Sequence, residues 1–542
     1  MTEVNTLPSE DGLLFLPLGG SGEIGMNLNL YGYNEKWLMI DLGVTFKEKF
    51  GVHVVAPDTS FIEKHKENLL GIVITHAHED HVGAVPYLWS RLKCPIYATP
   101  FTMEILKNKM TEAGLMREVD LRLVPLSGSV KIGDFGIEFI NQTHSILEPS
   151  ALAIRTPLGT VLHTGDWKLD PEPLVGEKTD HEKFKLIGDE GVLAVVCDST
   201  NVFEEGTSGS EGEVKTELLD LVKKQQNKVV VTCFASNIAR LVTCAQIAEE
   251  TGRFVVFLGR SMGTMLEAAT KTGYVKPIPN MISVEKAEGL PRDQVMYVCT
   301  GSQGEHRAAL SRIASKKFKG VNLYEGDCVI FSSRVIPGNE ERISDMKNDF
   351  AKMGVEIFTH RHGTIHVSGH PYRDELRQMY KWLQPKIAVP VHGEHRHLRE
   401  HARLAFEECG VQHTIVPENG DLILLAPGTP QVVDRVQSGY LAKDGHQMIN
   451  FYGGIIRERR RLSEQGVVIV SLGKKVQVEM LGVSELGEEK DSLIKELVEK
   501  ISDHLDAIAS DKSVDKEDEV RLVVKRTINR IRGIKPLVVV HI

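Results

Sequence analysis

The chain has 542 residues, 42% hydrophobic and 25% charged, with a net charge of −10. That length exceeds one ordinary core and predicts about two to four domains. The balance is that of a globular protein in water, no apolar run approaches the roughly 20 residues of a membrane span, and the negative total excludes a chain-wide basic surface, so a nucleic-acid partner would have to be met by locally gathered cations.

Residues 13–48 read as three strands, LLFLPL, NLNLYGY and WLMIDLGVTF, separated by glycines and an NEK turn. LGIVIT (70–75) is a continuous apolar strand, and VGAVPYLWSRL is helical. Shorter strands follow at IYATP, LRLVPL, FGIEFIN, ALAIRTP and TVLHTGD. This spacing predicts a sheet sandwich over residues 1–206 with helices outside.

The pattern changes near residue 207. A helix at EVKTELLDLVKKQ is followed by VVVTCF (229–234), the helix NIARLVTCAQIAEETG, FVVFLG, the helix SMGTMLEAATKTG, QVMYVCTG, a helix from 304, and CVIFSS. Apolar strands alternating with helices predict a parallel doubly wound sheet, placed at 207–355. Histidines return in 356–430, so this segment is read as the second part of the sandwich and 207–355 as an insertion. PGTPQVVDRVQSG marks 431–462 as a linker, before a small α/β domain at 463–542. The acidic, polar start MTEVNTLPSEDG does not read as a signal peptide. Seven scattered cysteines without CxxC spacing predict free thiols and a cytoplasmic setting, with no membrane partner.

The chemistry concentrates in THAHEDH, which supplies His76, His78, Asp80 and His81 after a strand. Two histidines at i and i+2 on extended chain face the same way and can share a metal. Asp80 and His81, entering a helix, face a second position. His144 in NQTHS, Asp166 in HTGDWKLD and His392 in PVHGE add three more candidate ligands at strand ends. Seven nitrogen and oxygen ligands, one carboxylate bridging, suit two divalent ions roughly 3.5–4 Å apart, which activate water and clamp the oxygens of an in-line displacement at phosphorus.

HxHxDH, a later lone histidine and the aspartate of TGD resemble the metallo-β-lactamase superfamily, and Asp41 in IDLG resembles its first motif, where the aspartate supports the metal loop. Asp198 in CDSTN, His370 in HVSGH and His392 in PVHGE, with the insertion, resemble the β-CASP branch, which cleaves nucleic acids. GGSGEIGMN, FASN (234–237), TGSQGE (300–305) and SSRVIPGNE (332–340) are similar to the bacterial ribonuclease J family, along roughly the whole chain.

The resemblance implies an αββα metallo-β-lactamase sandwich, an inserted doubly wound β-CASP domain and a C-terminal α/β domain. It implies one ion on His76, His78 and His144, another on Asp80, His81 and His392, and Asp166 bridging. Zinc is expected first, and manganese suits the same ligands. His370 would be the general acid, oriented and made more basic by Asp198, with Asp80 also essential to catalysis. A 5′-phosphate pocket would use Phe234, Ala235, Ser236, His366, Val367, Ser368, Gly369 and His370, with Arg334 as a further partner. The substrate implied is single-stranded RNA, cut 5′→3′ from monophosphorylated ends and also internally, in messenger decay and ribosomal RNA maturation. A homodimer or homotetramer is implied too. The GxD segment through which some relatives help hold a structural calcium is here Gly51-Val52-His53, without its acid.

GSGEIG (20–25) matches a dinucleotide fingerprint, yet the next residues read as strand, so a tight turn beside the metal loop is expected. His360 and His362 lack a carboxylate neighbour in sequence and read as structural or channel-lining, and RERRR (457–461) and KRTINRIRGIK (525–535) as solvated basic faces. The competing functions are a small-molecule metallo-hydrolase, such as a lactonase or thioesterase, and an inactive RNA-binding scaffold.

Overall fold

The structure, a computed structural model, describes residues 8–485, 487–510, 513 and 515–542; the first seven residues of the polar N-terminal stretch lie outside these. The chain forms two compact units, Met1–Thr45 with Ala56–Gly439, and Phe46–Val55 with Tyr440–Ile542.

In the first unit two sheets lie face to face. One is eight-stranded, running from Gln431–Arg435 through Asp421–Ala426, Leu13–Gly19, Leu28–Tyr33, Lys36–Ile40, Leu69–Val73 and Ile96–Ala98 to Leu121–Leu123. The other is seven-stranded and runs Ser129–Ile132, Phe135–Asn141, Ser150–Thr156, Gly159–His163, Ala194–Asp198, Ile387–Val391, His413–Thr414. The period of two decides which side chains meet. Phe135, Ile137 and Phe139 join Phe15, Leu38 and Val73 between the sheets. Ala151, Ala153, Val195 and Cys197 face outward onto helices His181–Glu190 and Arg373–Leu383.

The insertion is a five-stranded parallel sheet ordered Phe254–Leu258, Val295–Cys299, Val229–Thr232, Cys328–Phe331, Glu356–Phe358. Both faces are buried, which is why its strands read as unbroken apolar runs. One face also packs on Ala77, Phe101, Ile105, Ile146 and Leu147 of the sandwich. The last strand lies just beyond the expected boundary at 355, because a three-residue edge strand gives almost no periodic signal. The helix expected from 304 begins only at Ala309. Gly301 and Gly304 hold positive φ angles, and the Gln303 amide donates to the Arg334 carbonyl and accepts from the Ile336 amide, which keeps the segment a loop.

The expected linker at 431–462 is structured throughout much of its length. PGTP is the turn of a hairpin that pairs Gln431–Arg435 with Asp421–Ala426. Tyr440–Asp444 and Gln447–Asn450 form a four-stranded sheet with the hairpin around Phe46–Val55, and the helix Gly454–Gln465 follows. A three-stranded sheet, Val476–Leu481, Val467–Leu472 and Leu537–His541, then packs on helices Glu488–Ala507 and Lys516–Arg532. Among the described residues no helix is long and apolar enough to cross a membrane.

Candidate metal centre

Strand Leu69–Val73 ends just before THAHEDH, and the chain turns into the four-residue helix Glu79–Val82. The turn sends His76 and His78 one way and Asp80 and His81 another. The adjacent parallel strands Gly159–His163, Ala194–Asp198 and Ile387–Val391 end in register, which brings Asp166, Asp198 and His392 to the same edge, and His144 follows Phe135–Asn141 in that sheet. GSGEIG forms the short strand Ser21–Gly22 and a turn; beside it the Asn27 amide donates to the Asp80 carbonyl at 2.8 Å.

All seven predicted ligands converge, in overlapping groups whose donor atoms lie within 4.8 Å of one another: His76, His78, His144 and Asp166, then Asp80, His81, Asp166 and His392. Asp166 belongs to both, its Oδ2 standing 3.8 Å from His76 and from His144 and 3.1 Å from His81. A third group joins Asp166, Asp198, His370 and His392.

The outer hydrogen bonds fix the tautomers. Thr75 Oγ1 donates to Asp41 Oδ2 at 2.8 Å and so accepts from His76 Nδ1 at 3.0 Å. His144 Nδ1 donates to the Gly369 carbonyl, which can only accept. His78 Nε2 meets Ser236 Oγ at 3.0 Å. His76 Nε2 and His144 Nε2 therefore carry bare lone pairs, and both face His78 Nδ1, at 3.1 Å and 3.0 Å. Two lone pairs aimed at one ring nitrogen call for a positive centre among them, a proton or a cation, and with His78 protonated on Nε2 towards Ser236 all three nitrogens are open to a cation.

The second group is built alike. His81 Nδ1 donates to Asp41 Oδ2 at 2.7 Å, leaving Nε2 for Asp166. His392 Nδ1 donates to Thr200 Oγ1 at 2.8 Å, and its Nε2 stands 3.2 Å from Asp80 Oδ2. Asp166 Oδ1 is buried without a hydrogen-bond partner. These donors fit divalent metal binding: nitrogens oriented from outside, carboxylates within, and no sulfur.

Electrostatics follow the same division. Burial first, then neighbouring imidazoles, hold His76 and His144 well below the ordinary histidine value, and burial pushes His78 down to about 4. Burial also opposes charge on His81 and His392, but Asp166 and the other carboxylates outweigh it and hold both well above that value. Asp41 and His392 take positive φ, +62° and +52°, conformations that cost energy in residues with a side chain. Gly43 tolerates no substitute, since an added Cβ would sit 1.7 Å from the Asp80 carbonyl oxygen.

His370 stacks on His392 with centroids 5.4 Å apart, and its Nδ1 donates to Asp198 Oδ2 at 2.7 Å. Burial disfavours its charged form, and Asp198, with help from Asp166, overcomes that and raises it. Asp198 Oδ1 is held by the Thr200 amide and hydroxyl. Ser368 Oγ accepts from the His370 amide and from Asn201 Nδ2. His366 is pushed down to about 3 by burial, then by Arg240, Lys168, Arg334 and His360, and its Nδ1 has no partner. Val367 turns its side chain into the core. Phe234 is 36% exposed, and Arg334 is paired with Glu204 at 2.7 Å. His360 and His362 lie on an exposed 3-10 turn. Sequence reasoning missed Thr75, Thr200 and Asn201 as supports, although all three sit inside or beside motifs already singled out.

A histidine and aspartate cluster on the strand ends of such a sandwich defines a metal-dependent hydrolase, and residues 27–231 match the metallo-beta-lactamase superfamily. Residues 226–350 match the description "Ribonuclease J, beta-CASP domain", and 338–417 the "Zn-dependent metallo-hydrolase RNA specificity domain". The ribonuclease J of Sinorhizobium meliloti is 41% identical over 99% of this chain and 98% of its own length. That of Corynebacterium glutamicum is 37% identical over 90% of this chain and 69% of its own, and that of Helicobacter pylori (strain B128) 34% over 91% and 73%. The chain belongs to the ribonuclease J family and is a metal-dependent ribonuclease. A crystal structure described as a protein of unknown function from Enterococcus faecalis V583 shares the fold, with a TM-score of 0.53 at 17% identity over 76% of this chain and all of that one.

Proposed function

We propose that this chain hydrolyses phosphodiesters of single-stranded RNA at a two-ion centre, releasing nucleotides 5′→3′ from monophosphorylated ends and cutting internally as a second activity. His76, His78 and His144 would hold one ion and Asp80, His81 and His392 the other, with Asp166 shared by both groups of residues. Zinc is the first candidate and manganese the second. When bound, such ions supply an activated water and neutralise charge on the phosphate oxygens. The observation that carries the reading is the meeting of three inner imidazole nitrogens beside one shared carboxylate.

His370 acts as general acid. Its Nδ1 is committed to Asp198, so Nε2 is left to protonate the departing 3′-oxygen, and the raised proton affinity keeps that proton available near neutrality. Ser236, His366, Ser368 and the backbone of 234–236 and 367–369 receive the 5′-phosphate. The buried Nδ1 of His366, without a hydrogen-bond partner among the described residues, is a group left to meet it. Arg334 contributes only by releasing Glu204. Messenger decay and ribosomal RNA maturation in the cytoplasm are the settings this activity suits.

The test compares 5′-monophosphate and 5′-triphosphate forms of one labelled RNA with Mn²⁺ or Zn²⁺. Mononucleotide release from the first alone is expected. Equal attack on both, or turnover of a lactone without RNA cleavage, overturns the reading.

A further inference from the structure

We infer that Ser236, a residue of the inserted domain, is a positioning residue of the metal centre, and that through its hydroxyl a phosphate on the RNA and the cation on the histidines strengthen each other's binding. The phosphate half of this inference rests on the proposed ribonuclease reading; the positioning half does not.

Each imidazole of the first group is fixed from outside by a different piece of chain. Thr75 holds His76, the Gly369 carbonyl holds His144, and Ser236 holds His78. The first two holders belong to the sandwich and its loops, whereas Ser236 lies 158 residues from His78, after the insertion's strand Val229–Thr232. To bind a cation His78 must present Nδ1 bare, because that nitrogen is the one that faces His76 Nε2 and His144 Nε2. Its proton then sits on Nε2 and is donated to Ser236 Oγ at 3.0 Å. Such outer partners fix ring orientation and raise ligand basicity.

The serine is rigidly placed. Its neighbour Asn237 caps the helix Ile238–Glu250 by accepting from the Arg240 amide, and donates to Glu211 at 3.0 Å. Glu211 and Arg240 form a buried ion pair, and Arg240 also reaches the Ile365 carbonyl, next to His366. Among the described residues Ser236 Oγ has no other hydrogen-bond partner, so its own proton is available to an anion while its lone pair receives His78. A chain phosphate–Ser236–His78–cation polarises in one direction, each link favouring the next.

The experiment titrates metal-stripped wild type, Ser236→Ala and Ser236→Thr with Zn²⁺ against a competing chelator, with and without uridine 5′-monophosphate. Wild type should bind Zn²⁺ several-fold tighter with the nucleotide, and by reciprocity the nucleotide by the same factor with Zn²⁺. Ser236→Ala should lose about 10–100-fold in Zn²⁺ affinity and all coupling, while its metal-free unfolding temperature stays that of wild type and Ser236→Thr retains both properties. Unchanged Zn²⁺ affinity in Ser236→Ala overturns the positioning role, and intact coupling in that variant overturns the link to phosphate. If wild type binds Zn²⁺ as expected but leaves RNA uncut, the ribonuclease reading fails while the Zn²⁺ titration still decides the positioning role.

Discussion

Asp41 is fully buried and binds no predicted metal, yet its exchange for asparagine should cripple the centre. Asp41 Oδ1 accepts the Thr75 amide at 2.8 Å, and Oδ2 accepts both the Thr75 hydroxyl at 2.8 Å and His81 Nδ1 at 2.7 Å. Asparagine has nearly the same shape and tolerates the positive φ of +62°, so the backbone is not the cause of the effect. Its NH2 group must face either the Thr75 amide or the Thr75–His81 pair, and every one of those partners is a donor. The cheapest escape moves the His81 proton to Nε2, the nitrogen that stands 3.1 Å from Asp166 Oδ2. That removes one lone pair from the ligands proposed for the second ion. Losses from altered outer partners run to about 10–100-fold in metal affinity, or roughly 1.4–2.8 kcal/mol. Calorimetric titration of metal-stripped Asp41→Asn with Mn²⁺ or Zn²⁺ should resolve one ion bound as in wild type and one weakened by that factor, with RNA cleavage falling at least in proportion. Two ions bound with wild-type affinity would refute the argument, because the tautomer of His81 would then not depend on Asp41.

Asp80→Ala should abolish RNA cleavage with an unchanged circular dichroism spectrum, since Asp80 is part-exposed and packs in no core. His370→Ala should slow cleavage by about 10²–10⁴-fold, the usual scale of one proton-transfer group, with metal content by mass spectrometry unchanged. Gly369→Ala would place a Cβ 2.8 Å from His144 Cε1 and 2.7 Å from Ser145 Oγ, so Zn²⁺ affinity should fall even though no ligand is altered. Acid should destabilise the fold through His163 and His401, buried groups pushed from 6.5 down to about 4. Their folded-state proton affinity is depressed, so the stability they contribute is present above about pH 6.5 and is lost as pH falls towards 4, by up to about 3 kcal/mol each; urea unfolding between pH 7 and pH 4 reads this slope.

What could be read before the fold was known divides along physical lines. The insertion was legible because strands buried on both faces, such as Val229–Thr232 and Val295–Cys299, must be apolar throughout, and the helices between them are amphipathic. His76 to His81 were legible because four ligand-type residues stand within six positions of chain. What stayed hidden depends on partners distant in sequence. The segments 46–55 and 440–450 complete one sheet, and neither is persuasive alone. PGTP looks the same whether it opens a linker or turns a hairpin; only Val432 pairing with Ile423 distinguishes them. Arg334 illustrates the limit for side chains, because its basic character suggested a phosphate and only the fold reveals Glu204 beside it.

The same distinction explains why ligands are easier to read than their supports. A ligand must be histidine or aspartate, so its type narrows the search. A support needs only an oxygen at the right place: a threonine hydroxyl for His76 and His392, a backbone carbonyl for His144, a serine hydroxyl for His78. Serine and threonine are common and a carbonyl is carried by every residue, so no spacing rule selects them. Yet these oxygens bear on which nitrogen of each of these four rings is bare, and with the wrong ring nitrogen protonated the same histidines would present N–H groups to the centre. On the proposed reading, the preference of the site for a cation resides as much in Thr75, Thr200, Ser236 and the Gly369 carbonyl as in the histidines they orient, and these four widely separated parts of the chain must fold before the ring nitrogens converge.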